Sequence, residues 1–132
     1  MTNELTNYRR NRAKETLNDA EQLFNSGSLF SAVNRIYYAV FYEVTALLLT
    51  KGLSSPKHSG IKSLFNKEFV KIGKVSIESG RLFARMFDFR QKSDYEDFVT
   101  FEKDEVREWL EDAKLFIKEL EELIEREEMR KV

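Results

Sequence analysis

Arg90 sits where a charge is least expected in this sequence. Leu82, Phe83, Met86 and Phe89 recur at helical spacing, and Arg90 projects from that same apolar side. Arg81, Arg85, Asp88 and Lys92 share another face of the segment. A guanidinium cannot shed its proton, so such a position needs a carboxylate, a helix C-terminus or an anionic ligand. The last turn of a helix, where Arg90 falls, also favours a cation through the helix dipole. Asp94 and Tyr95 follow in Arg90-Gln91-Lys92-Ser93-Asp94-Tyr95. A donor fork, a carboxylate and a phenol therefore lie within about one and a half turns, or on a helix-to-loop corner.

Two other groups could join this chemistry. Arg35, Tyr38, Tyr42 and Leu49 form a second line on an otherwise apolar helix. That line reads either as a buried ion pair with tyrosines packed over it, or as a subunit contact or part of a site. His58 is the sole histidine, in Ser55-Pro56-Lys57-His58-Ser59-Gly60. At a helix start it could donate to a phosphate or move a proton, or it could be an ordinary surface or packing residue. Lys57, Lys62 and the lysines as far as Lys74 would add attraction for a polyanion. One histidine cannot supply the Glu-x-x-His pairs of a di-iron bundle. With no cysteine, thiolate metal sites, disulfides and cysteine nucleophiles are excluded. No metal and no cofactor is expected, and no glycine-rich phosphate loop or dinucleotide fingerprint appears.

The elements that must position these residues are helices. A first runs from about Asn3 to Asn25 with Ala13, Leu17, Ala20 and Phe24 inward, and Gly27 ends it. A second, from about Leu29 to Lys51 and cappable by Ser28, carries Val33, Ile36, Tyr37, Val40, Val44, Leu47 and Leu48. Being apolar nearly all round, it should be central or buried at an interface. Ser55-Pro56 reads as an N-cap with proline at the first helical position. It opens a third helix near Lys57 whose apolar side is Ile61, Leu64, Phe65, Phe69 and Ile72. Ser76 can cap a fourth, to about Lys92, and the fifth follows Thr100. Its stripe runs Val106, Trp109, Leu110, Ala113, Phe116, Ile117, Leu120, Leu123 and Ile124. The expected fold is all-α, an up-and-down antiparallel bundle of four to five helices. It forms one domain over residues 1–132, with 125–132 fraying.

The 132 residues are 42% hydrophobic and 34% charged, a composition of neither a disordered tail nor a membrane protein. The apolar stretch at Ala39–Leu49 is broken by Glu43 and is far shorter than the ~20 residues of a bilayer span. Met1–Tyr8 lacks the apolar core of a signal peptide, so a cytoplasmic location is the expectation. A net charge of −1 conceals a basic centre and an acidic end. Residues 57–92 hold nine Lys/Arg against three Asp/Glu, and residues 94–132 hold seven against fifteen. The two segments could attract each other, or the basic one could bind a polyanion.

Arg90 followed by Asp94-Tyr95, with Ser31-Ala32-Val33-Asn34-Arg35-Ile36-Tyr37-Tyr38-Ala39-Val40-Phe41 upstream and Lys57-His58-Ser59-Gly60 between, resembles the HEPN domain family. The resemblance covers about Arg12 to Ile124 and is closest to the small stand-alone prokaryotic branch. It implies a bundle of four or five helices and a homodimer. It also implies a minimal nucleotidyltransferase as toxin–antitoxin partner, and a nucleotide or RNA ligand. Many members are metal-independent ribonucleases whose motif is an arginine, four to six residues, then a histidine, assembled across the dimer interface. The arginine carries over to Arg90, while the positions counted from it hold Tyr95, Glu96 and Asp97. Three readings follow. Arg90 could hold a phosphate, with Asp94 orienting Arg90 or Arg35, and Tyr95 stacking on a base or accepting a nucleotidyl group. His58 could replace the motif histidine in an active ribonuclease. Or the chain could be a catalytically inert interaction module.

Overall fold

The most apolar segment of the chain becomes its central helix. The computed structural model describes residues 3–131. Five α-helices follow one another: α1 (Glu4–Asn25), α2 (Leu29–Leu49), α3 (His58–Phe65), α4 (Ile77–Tyr95) and α5 (Lys103–Met129). Among the described residues there is no strand. Helix α2 packs against all four others. All seven residues of its apolar stripe are buried. At roughly 1.5–3 kcal/mol for each large apolar side chain fully buried, this stripe is a major contribution to the stability of the bundle.

Caps and turns set the helix ends. Asn3 opens α1, its Oδ1 accepting from the amides of Leu5 (2.9 Å) and Thr6 (3.3 Å). Ser76 opens α4 by accepting from the Ser79 amide. Gly27 closes α1 at φ +83°, a left-handed conformation that a β-carbon would strain. Ser28 makes no side-chain cap bond to α2. The Ser55-Pro56 start is displaced: α3 begins at His58 behind Lys57, and Ser55 Oγ instead accepts from the Lys57 amide. Gly60 permits this close loop, since a β-carbon there would lie 2.0 Å from Ser55 Oγ.

The third helix also ends differently from its pattern. After Phe65 the backbone widens into a π-helical stretch, Asn66–Val70, with the Lys71 amide reaching the Asn66 carbonyl. The wider turn advances the phase, so Phe69 stays buried while Ile72 faces out. At the other end α5 is helical through Met129. Glu127 is buried there and pairs with Lys74 at 3.2 Å. Val132 lies outside the described residues. The acidic face of α5 is neutralised chiefly by α1: Arg10 and Lys14 both meet Glu121, at 2.7 and 2.8 Å. Lys74 is the one cation of the basic centre paired with α5 among the described residues.

Candidate functional site

Two consecutive tyrosines on α2 organise the candidate site. Successive helical residues point about 100° apart, so Tyr37 faces into the bundle and Tyr38 toward its edge. Tyr37 and Phe41, one turn apart, form an aromatic shelf, and His58 at the first turn of α3 lies on it. The imidazole stacks on Phe41 with ring centres 4.2 Å apart and planes 13° from parallel. Its Nδ1 is 2.7 Å from the Tyr37 hydroxyl, and the edge of Tyr38 closes a third side.

Arg90 reaches the same pair of tyrosines from α4. Its Nη2 donates to the Tyr38 phenol oxygen at 3.2 Å. Its guanidinium carbon lies 5.7 Å from the Tyr37 ring centre and 5.8 Å from that of Tyr38. Helix α4 continues to Tyr95, so Asp94 falls one turn after Arg90 and pairs with its Nε at 3.1 Å. That contact is not aligned as a hydrogen bond, and Nε finds no other partner among the described residues. Arg90 is thus held but not saturated.

Burial pushes the His58 imidazole below its ordinary pKa, the Arg90 charge adds to this, and Asp94 opposes both. The ring is therefore neutral near pH 7. Tyr37 is shifted up, first by burial, and stays a phenol.

The remaining candidates lie at varying distance from this cluster. Arg35 stacks on Tyr38 at 5.0 Å, but its fork closes on Asn34 Oδ1 and on no carboxylate among the described residues. The buried ion pair considered for Arg35 is therefore replaced by an amide contact. Lys62 lies over the Phe87 ring at 4.7 Å, and Lys57 is exposed beside His58. Tyr95 is 85% exposed at the end of α4, outside the cluster. Spacing alone places Tyr37 only in the apolar stripe. Its signal was its hydroxyl, because a tyrosine on a fully buried stripe must find a polar partner. Among the described residues no three His, Cys, Asp or Glu side chains gather so as to hold a metal ion.

A second polar cluster lies under α1 and α5. Glu43 is wholly buried, and neither carboxyl oxygen receives a hydrogen bond among the described residues. Burial foremost, and then Glu121 beside it, hold Glu43 protonated, so that its proton serves Glu121. Desolvation works against the Glu121 charge, but hydrogen bonds from Glu43, Arg10 and Lys14 outweigh it.

The family model described as HEPN domain matches residues 6–123. A UPF0332 protein of Thermotoga maritima is 52% identical over 89% of this chain and 89% of its own. A protein of Methanocaldococcus jannaschii named "putative toxin" is 37% identical over 80% of this chain and 72% of its own. A UPF0332 protein of Archaeoglobus fulgidus is 30% identical over 80% and 84%. No described helix is long and apolar enough to cross a membrane.

Proposed function

The chain belongs to the HEPN domain family, and from that premise we propose that it is a toxin-like RNA-binding protein that cleaves RNA without a metal. Arg90 takes the phosphate and His58 moves the proton. The observation that carries this reading is the meeting of Arg90 and His58 over one tyrosine pair, although neither belongs to the other's helix. In such cleavage a base takes the proton of the RNA 2′-hydroxyl, the oxygen attacks the adjacent phosphorus, and the 5′-oxygen leaves with a proton. A neutral imidazole suits the first step and an imidazolium the last. The partly exposed guanidinium of Arg90 supplies the anion contact. The protein acts as a homodimer whose Arg90 corners face a shared groove, with Lys57 and Lys62 steering the polyanion. Its partner is a minimal nucleotidyltransferase, for which the exposed Tyr95 is the acceptor within reach.

The test is RNA binding and cleavage in chelator by wild type, Arg90→Ala and His58→Ala. Arg90→Ala should lose affinity, and His58→Ala should bind but not cleave. Wild type, freed of contaminating nuclease, that neither binds nor cleaves RNA at low salt removes this reading. The Arg90–Asp94 pair favours a second one, an inert interaction module. There, Arg90→Ala lowers stability and changes no ligand affinity.

A further inference from the structure

Tyr37 has no task in the chemistry just described, yet it is the most constrained member of the cluster. It is fully buried, its ring stacks toward Phe83 and Phe41, and its hydroxyl has one partner among the described residues, His58 Nδ1. The stack on Phe41 fixes the imidazole plane and the Tyr37 bond fixes the ring's rotation within it. Nε2 is then the one ring nitrogen left uncommitted. Tyr37 and Tyr38 from α2 and Arg90 and Asp94 from α4 face the imidazole, and Lys57 and Lys62 are the charged residues one before and four after it on its own segment.

Resting on the reading of His58 as the proton-moving group, we propose that Tyr37 is the positioning residue of that imidazole and serves both of its proton states. When Nε2 is basic, or the ring is charged, Nδ1–H donates to the phenol oxygen. When Nε2 carries the only proton, the hydroxyl turns about its C–O bond and donates to Nδ1. The proton taken from the RNA 2′-hydroxyl enters at Nε2 and leaves from Nε2 to the 5′-oxygen, so Tyr37 neither gains nor loses one. A carboxylate in its place would favour the imidazolium and hold it charged at neutral pH. A buried, un-ionised phenol fixes the ring and adds no charge.

The test is Tyr37→Phe in the whole protein, which removes the hydroxyl and keeps the ring. His58 is the only histidine, so its imidazole nitrogen resonances are unambiguous. The tautomer populations should relax toward those of a free imidazole. The titration midpoint should fall by about half to one pH unit, because the charge-assisted bond is the stronger of the two lost. The acidic limb of the RNA-cleavage profile should move the same way. Phe41→Leu loosens the stack, keeps the hydroxyl, and should leave the Nδ1 resonance hydrogen-bonded. Unchanged nitrogen shifts in Tyr37→Phe, a rise in the midpoint, or the same change in Phe41→Leu would each overturn the proposal. Should Tyr37→Phe not fold, a wild-type Nδ1 resonance without a hydrogen bond overturns it equally. Absence of cleavage by wild type would instead defeat the reading of His58, and the nitrogen signature would still decide the role of Tyr37.

Discussion

Arg90 and Tyr38, on α4 and α2, are joined by a 3.2 Å hydrogen bond from Nη2 to the phenol oxygen. The same guanidinium pairs with Asp94 one turn along its own helix. The arginine is therefore anchored at two points, Nη2 on Tyr38 and Nε beside Asp94, while its side chain stays partly exposed. Such an anchored fork is preorganised for an anion, with little rotamer freedom left to lose on binding.

Replacing Arg90 by alanine should cost about 1 kcal/mol or less of stability, since its ion pair with Asp94 is partly solvated. The effect on RNA should be larger and of a definite kind. The slope of log affinity against log salt should fall by about 1, the signature of one lost phosphate contact. Arg90→Lys should recover part of that slope but not the bond geometry at Tyr38. Filter binding across a salt series checks both.

The pH dependence of cleavage follows from His58. Its folded pKa lies below the ordinary value, through burial first and Arg90 second. The basic form is present above that pKa, so the acidic limb of the rate profile should have its midpoint below about 6.5. Removing Arg90's charge should move this limb up, and Asp94→Asn should move it down. The stability sign is fixed too: the unfolded chain binds the proton more readily, so this group destabilises the fold as pH falls through about 6.5.

Glu43→Gln should stabilise the protein increasingly as pH rises above about 4.5. The folded pKa of Glu43 is raised, so its contribution is fully present below the unfolded value near 4.5 and declines as pH rises above it. Glutamine keeps the shape and a donor for Glu121 without that decline. The two proteins should be similar near pH 4.5. Above it they should diverge by at most about 1.4 kcal/mol per pH unit, which thermal unfolding at pH 5 and pH 8 would read.

Gly60→Ala tests how α3 is seated. Its β-carbon would fall 2.0 Å from Ser55 Oγ and 2.8 Å from Ser55 Cβ. The loop before α3 must shift, at about 1–3 kcal/mol. Because His58 stands two residues earlier, the displacement should also lengthen its bond to Tyr37. A lowered melting temperature together with an altered His58 nitrogen spectrum is the expected result.

Helix existence, core stripes and the anomaly at Arg90 were legible in the chain because they are one-dimensional. The period of apolar residues on α2 and α5 is written in neighbouring positions, and so is a charge that breaks it. The family likeness rests on the same local strings. What lay beyond reading was every relation between helices. His58 was one ambiguous histidine until the packing of α3 on α2 put it against Tyr37, twenty-one positions away. Glu43 was a break in an apolar run until α5 brought Glu121 beside it. Ile72 departs from the apolar side that its spacing predicts, because one widened turn shifts the phase that periodicity assumes constant. The sequence by itself determined which residues form helices and which faces they bury, since local spacing decides both. Only the tertiary structure decided which buried polar groups become partners, because that depends on how close residues distant in the chain are brought by packing.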